Sequence, residues 1–315
     1  MNTLGGALAE YVATARALGA KLRWPASILR RFIEFLECEG AEFITTKLAL
    51  RWATEPTGVQ TATWARRLGI VRGFARWLHA TDPRTEIPAQ GLLPARHRRK
   101  PPHIYSNQEV VHLMAAATHL SSPRGLRSTT YATLIGLLAA TGLRPGEVLA
   151  LDEPDVDLHN AILAVRETKF GKSRFVPVEE SVATALAHYA ARRDAVCSGR
   201  KTRAFFVTER GGRLVAYTAR RTFAKLSLAL GLRTPLEGRR IGRGPRLQDL
   251  RHTFATRRLL EWYRAGLDVG RLMPGLATYL GHGSVHDTYW YIQAVPELLE
   301  LATQHSATRS AGGGR

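Results

Sequence analysis

The chain has 315 residues, 45% of them hydrophobic, and its formal net charge at pH 7 is +19. At this length one hydrophobic core usually stops growing, so one large or two modest domains are expected. The positive charge favours a polyanionic partner such as nucleic acid, and the lack of a signal peptide or a long apolar run argues against secretion and membrane insertion.

Residues 1–90 are predicted to form a small helical domain, because apolar residues recur at helical spacing in two segments. These residues are Ile28, Leu29, Phe32, Ile33 and Leu36, followed by Trp64, Leu68, Val71, Ala75 and Leu78. Six arginines lie among them, namely Arg30, Arg31, Arg66, Arg67, Arg72 and Arg76. The pattern leaves open whether these arginines form a solvated face or contact phosphate groups.

Residues 91–103 are predicted to be a linker, because the segment has prolines and no periodicity. Its sequence includes the basic run ARHRRKPP, with Arg96, Arg98, Arg99 and Lys100. The same composition suits a solvated tether and a linker that crosses a DNA backbone, so these four residues are candidate DNA-backbone contacts.

Residues 104–303 are predicted to form a second domain, which opens with the capping box Ser106-Asn-Gln-Glu109. Helices are expected to about residue 303, interrupted by a hairpin at roughly 161–178, in which TKFGKS joins ILAVRE to RFVPV. Residues 304–315 are predicted to be a flexible tail. The expected class is mainly α with a small antiparallel hairpin or sheet.

Four motifs in this domain are each too common to indicate a function alone, but their combination is specific for one protein family. They are TGLRPGE with Arg144, K-x-G-K-x-R on the hairpin, DLRHTFAT with Arg251, and LGH followed nine residues later by Tyr291. In this order they resemble the tyrosine recombinase (phage integrase) family over about residues 104–303. The resemblance implies a two-domain architecture, with a helical core-binding domain that contacts DNA and an α+β catalytic domain.

The resemblance also implies roles for individual residues. Arg144 and Arg251 match the arginines that hold the scissile phosphate, Lys169 matches the lysine that protonates the leaving oxygen, and His282 matches a further hydrogen-bond donor to the phosphate. Tyr291 matches the nucleophile, so Tyr289 and Trp290 are expected to be packing residues. Glu147 matches a supporting acid, and the basic hairpin residues Lys172 and Arg174 are further candidate contacts with the DNA backbone.

The residue types suit this chemistry. Guanidinium groups keep their charge and offer rigid pairs of donors to the oxygens on which negative charge develops. Attack by a tyrosine leaves a phosphotyrosyl link, which retains the bond energy without ATP or a metal. The expelled 5′-oxygen needs a general acid. Lys169 is the first candidate for that acid, and Lys172 is the second.

A metal site is the main alternative for the histidines. His282 and His286 are four residues apart and His252 could complete a set, but no cysteine or carboxylate cluster accompanies them. Cys38 and Cys197 lie far apart, which suits a reducing, intracellular setting. We therefore expect no metal, no cofactor and no membrane partner, and a location in the cytoplasm at the bacterial nucleoid.

One position departs from the family pattern. The helix with the second arginine usually begins H-x-x-R, whereas this chain has Gln248. Glutamine can donate a hydrogen bond to phosphate but cannot accept and pass on a proton as imidazole does. Two hypotheses follow: a DNA strand-exchange enzyme, or a catalytically weak DNA-binding homologue with an architectural or regulatory role.

The resemblance further implies the partners of the enzyme. They are double-stranded DNA with inverted-repeat core sites and other protomers, which form a tetramer on paired sites, with or without a related recombinase. Such enzymes act in DNA recombination and integration, including that of mobile elements. After Tyr291, the segment VPELLELA offers Val295, Leu298, Leu299 and Leu301 for an apolar stripe, as in the family's C-terminal helix, which packs against a neighbouring protomer.

Overall fold

In a computed structural model, the chain divides into two compact units, residues 1–100 and residues 101–315. The structure describes residues 3–20, 22–95, 101–166, 173–235, 244–294 and 297–301. Within these ranges helices dominate, and the strands form one antiparallel sheet in the second unit. The predicted fold class is confirmed.

The first unit is a bundle of helices around an apolar core. All five residues of the first predicted stripe are buried, and in the second stripe only Trp64 is half-buried rather than buried. The indole of Trp64 instead donates to the Pro56 carbonyl at 2.9 Å. The helices are α1 (Leu4–Ala17), α2 (Arg23–Cys38), α3 (Thr46–Thr54) and α4 (Thr61–His79).

The arginines of this unit do not share one environment. Arg30, Arg31 and Arg76 are exposed, as a solvated or phosphate-binding face requires. Arg67 is buried instead: its guanidinium donates to the Trp52 carbonyl at 2.7 Å and stacks over the Trp52 ring at 3.7 Å. For Arg67 both interpretations of the sequence pattern are therefore wrong, because the aromatic ring and the carbonyl replace solvent.

The second unit begins with the predicted capping box. The Ser106 hydroxyl accepts from the Glu109 N–H at 3.1 Å, and the Glu109 carboxylate accepts from the Ser106 N–H at 2.7 Å. Further helices surround the buried α6. The helices are α5 (Asn107–Thr118), α6 (Leu126–Thr141), α7 (Pro145–Ala150), α8 (Glu180–Val196), α9 (Ala216–Ala229), α10 (Leu247–Arg264), α11 (Val269–Leu280) and α12 (His286–Ala294).

The sheet has three antiparallel strands in the order β1 (Val156–Asp157), β2 (Ile162–Val165) and β3 (Arg174–Pro177). Ile162 pairs with Pro177 and Val165 with Arg174, which confirms both strands of the predicted hairpin. The turn between them, residues 167–172, lies outside the described residues. The sequence pattern does not predict β1, because two residues are too few to show an alternation of apolar and polar side chains.

A separate apolar cluster joins α10, α11 and α12. It contains Leu259, Met273, Leu280, Tyr291 and Leu298, among others. Tyr291 and Leu298 therefore share one core with Leu259 of α10, which is distant from both in the sequence. Of the helices in the described ranges, none is both long and apolar enough to span a membrane.

Candidate active site

The turn between α6 and α7 positions Arg144. Gly142 ends α6 in the left-handed conformation, with φ of +61°, and a Cβ atom there would come within 2.5 Å of the Phe254 ring. Both constraints favour glycine. Arg144 is the N-cap residue of α7, which has Pro145 at its first position.

The C-terminal end of α11 binds three guanidinium groups. Arg144 donates to the Gly281 carbonyl from both terminal nitrogens, each at 3.2 Å. Arg251 donates to the Leu280 carbonyl at 2.7 Å and to the Gly142 carbonyl at 3.1 Å. Arg174 donates to the Tyr279 carbonyl at 2.8 Å. The last carbonyls of a helix lack intrahelical partners and carry partial negative charge, so they stabilise this concentration of positive charge.

Gly281, the glycine of LGH, makes this arrangement possible. It ends α11 with φ of +68°, and a Cβ atom there would lie 2.6 Å from the Arg174 guanidinium. Any side chain at this position would therefore displace the arginine or the helix end. The sequence showed the glycine but gave no indication of which side chain approaches it.

Glu147 links two of the arginines. Its carboxylate accepts from Arg144 at 2.8 Å and from Arg174 at 2.9 Å, and only 7% of its side chain is exposed. Burial alone would raise the pKa of Glu147, but the hydrogen bonds from Arg174 and Arg144 hold that pKa below its ordinary value. Glu147 is therefore an anion that fixes both guanidinium groups.

Arg251 and Tyr291 meet in the interior of the second unit. Arg251 is 2% exposed and Tyr291 is 3% exposed, and the two side chains interact electrostatically. Burial lowers the pKa of Arg251 to about 10, so the guanidinium stays charged at neutral pH. Burial also raises the pKa of Tyr291, although Arg251 and Arg144 oppose that shift. The phenol is therefore protonated at neutral pH.

Tyr289 and Trp290, the two aromatic residues just before Tyr291, point in other directions than Tyr291, because successive helical positions point about 100° apart. Trp290 is half-buried and lies edge-on to the His252 ring, with centroids 5.3 Å apart. Tyr289 is 41% exposed. The expectation that Tyr289 is a packing residue is therefore wrong, while for Trp290 the structure agrees with it.

His282 lies beside Tyr291, with ring centroids 6.0 Å apart and an interplanar angle of 20°. Its Nδ1 is 2.6 Å from the Thr288 hydroxyl. Burial, together with the charges of Arg251 and Arg144, lowers the pKa of His282 to about 4. The imidazole is therefore neutral at pH 7 and carries one N–H.

The remaining predicted residues divide into three groups. Gln248 is half-buried on α10, one turn before Arg251. Arg174 is not available as a contact with the DNA backbone, because its side chain is 11% exposed and bonded to Glu147 and to the end of α11. The predicted residues that lie outside the described ranges are Arg96, Arg98, Arg99, Lys100, Lys169 and Lys172.

Two arginines of the hairpin offer a test of this interpretation of Arg174. Arg174→Ala should lower the free energy of unfolding by about 3–5 kcal/mol, because it leaves the buried Glu147 carboxylate partly unpaired. Arg166, just after β2, pairs with Asp155 but is 64% exposed, so Arg166→Ala should cost under about 1 kcal/mol. Calorimetry on the full chain measures both, and similar losses would contradict the structural role of Arg174.

Among the described residues, no three His, Cys, Asp or Glu side chains form a group that could hold a metal ion. The histidines considered for a metal site have other surroundings. The His252 ring lies between Trp290 and Tyr291, and His286 is exposed at the start of α12.

Known proteins resemble this chain over most of its length. Residues 104–297 match the phage integrase family. A putative integrase/recombinase, y4rB of Sinorhizobium fredii, is 44% identical over 313 residues and covers 98% of both chains. The tyrosine recombinase XerD of Caulobacter vibrioides is 30% identical, over 81% of this chain and 79% of its own. The Tn1549 transposon integrase, solved with transposon right end DNA, has a TM-score of 0.63 at 18% identity and covers 92% and 94% of the chains.

Proposed function

The chain belongs to the phage integrase family of tyrosine recombinases, and on that basis we propose that it cleaves and rejoins DNA strands through a 3′-phosphotyrosyl intermediate on Tyr291. One observation carries the proposal. Tyr291 is buried beside His282 and interacts electrostatically with the buried Arg251, while Arg144 is held at the adjacent end of α11. This set combines a nucleophile with donors for a phosphate.

In the proposed cleavage step, the Tyr291 oxygen attacks phosphorus and the bond from phosphorus to the 5′-oxygen breaks. Arg144, Arg251 and His282 donate to the non-bridging oxygens, where negative charge develops. The leaving 5′-oxygen takes a proton from Lys169, with Lys172 as the alternative acid. Rejoining reverses these steps with the 5′-hydroxyl of another strand, so no bond energy is lost.

The phenol must lose its proton to solvent water during attack. Burial raises its pKa, whereas Arg251 stabilises the phenolate, so this deprotonation depends on the neighbouring guanidinium groups. Gln248 lies at the position where the family usually has histidine, and its amide cannot take the proton. We infer that proton removal is the weak step of this active site.

DNA binding and assembly complete the proposal. The strongly basic chain suits double-stranded DNA with inverted-repeat core sites, contacted by the helical unit and the basic linker inside the cell.

Four protomers would act on paired sites. Glu297 pairs with Arg264 of the same chain at 2.6 Å, and Leu298 is buried in its core. The proposed exchange of this segment between protomers therefore requires it to leave these contacts.

A covalent-capture experiment tests the proposed function. Purified protein is incubated with DNA fragments from the region that flanks its gene, and the mixture is denatured and resolved on a gel. We expect protein-linked DNA with a free 5′-hydroxyl, which a polynucleotide kinase labels, and a blocked 3′ end. Specific DNA binding without any covalent product would favour the alternative, a catalytically weak homologue with an architectural or regulatory role.

Gln248 is the feature that favours the alternative, and it leads to a separate prediction. In rejoining, Lys169 alone is left to take the proton of an alkyl hydroxyl, which is much less acidic than tyrosine with its ordinary pKa of about 10. The missing imidazole should therefore impair rejoining more than cleavage. Gln248→His should lower the steady-state fraction of covalent complex and raise recombinant product. Time courses of both species on one substrate measure this. An equal or higher covalent fraction without more product would contradict it.

A further inference from the structure

Thr288 is a buried residue of α12 that contacts His282 of the candidate site. It occupies the first turn of α12, three residues before Tyr291, and is 0% exposed. Its backbone N–H donates to the Val285 carbonyl at 2.8 Å. Its hydroxyl is 2.6 Å from Nδ1 of His282. The four sequence motifs do not give Thr288 a role, and the roles implied by the family resemblance do not include it.

The direction of this hydrogen bond follows from the burial of Thr288. A hydroxyl has one proton to donate, and leaving a buried donor without an acceptor is costly. Within the described part of the chain, Nδ1 of His282 is the acceptor that the structure gives this hydroxyl. If Nδ1 carried a proton and donated instead, the hydroxyl hydrogen would have no acceptor. The Thr288 hydroxyl is therefore the donor and Nδ1 is the acceptor.

We propose that Thr288 is a positioning residue: by donating to Nδ1 of His282, it fixes the tautomer whose Nε2 carries the hydrogen offered to the scissile phosphate. The inference rests on the proposed function. His282 needs such a partner because a neutral imidazole has one N–H, and in the other tautomer Nε2 would present a lone pair to an anionic oxygen.

The charges around His282 make the tautomer important. Burial and the positive charges of Arg251 and Arg144 hold the imidazole neutral at pH 7, against the opposing effect of Asp287. A doubly protonated ring could donate to phosphate in any case. A neutral ring donates only if the hydrogen is on the correct nitrogen, which the Thr288 hydroxyl determines.

The first test compares Thr288→Val, which keeps the shape but removes the hydroxyl, with Thr288→Ser, which keeps the hydroxyl. Cleavage by the full-length protein is measured under single-turnover conditions on its DNA site. Thr288→Val should slow cleavage about 10- to 100-fold, the range found when the hydrogen-bond partner of a metal-bound histidine is removed. Thr288→Ser should recover most of that loss, and DNA binding should change little in either variant.

Combining substitutions separates positioning from a merely structural role. In a His282→Ala background, Thr288→Val should slow cleavage little further, because the residue acts through the imidazole. Equal losses in the two backgrounds would overturn the proposal.

A measurement without activity makes the test independent of the proposed function. Nitrogen NMR of the wild-type protein with ¹⁵N-labelled histidine, assigned with His282→Gln, should show hydrogen on Nε2 of His282 at pH 7. Hydrogen on Nδ1 would overturn the proposal even if the variants proved unstable. If the wild-type protein forms no covalent complex, the proposed function fails, while the NMR result still decides the direction of the hydrogen bond.

Discussion

Tyr291→Phe is expected to abolish the covalent complex with DNA while leaving DNA binding nearly intact. The substitution removes only the phenol oxygen, which is the proposed nucleophile. The ring stays in the apolar cluster with Leu259 and Met273, so the fold should be retained. The measurement is the yield of protein-linked DNA after denaturation, alongside a binding titration on the same duplex.

Tyr289→Phe is the matched control for this prediction. Tyr289 lies on the same helix two residues earlier, but 41% of it is exposed, whereas Tyr291 is buried and interacts electrostatically with Arg251. The control variant should form the adduct at the wild-type yield. If Tyr289→Phe removed the adduct and Tyr291→Phe did not, the assignment of the nucleophile would be wrong.

Substitution of the two arginines that are proposed to hold the phosphate should give the second largest effect. Arg144→Lys and Arg251→Lys should each slow cleavage by about 100- to 1,000-fold, the usual cost of losing one preorganised donor. Lysine keeps the charge but lacks the fork with which Arg251 donates to the Gly142 and Leu280 carbonyls. Binding should weaken far less, since other phosphate contacts remain.

Single-turnover cleavage with protein in excess measures this prediction, and a thermal melt checks that each variant is folded. Arg220→Lys on α9 is the control, because Arg220 is exposed, and it should cleave at the wild-type rate. Equal losses of cleavage and binding in Arg144→Lys or Arg251→Lys would count against a catalytic role for that residue.

Features that depend on short-range spacing could be predicted from the amino-acid sequence. The capping box of Ser106 and Glu109 formed as predicted, since its atoms lie within one helical turn. The stripe of Phe32 and Leu36 and the two strands of the hairpin were likewise predictable, because helical and extended periodicity determine which side chains share a face. The four motifs indicated the family because they occur together in the family's order, although each motif alone is not specific.

The contacts of the charged and aromatic side chains could not be predicted in this way, because they depend on how the helices pack. Arg67 and Arg174 looked like surface arginines in the sequence, yet both are largely buried, because partners distant in sequence replace water: Trp52 for one, Glu147 and the end of α11 for the other. Thr288 had no distinguishing pattern until folding placed it against His282. Periodicity specifies which face a residue occupies, whereas its hydrogen-bond partners depend on how whole helices pack, and that packing is a property of the entire chain.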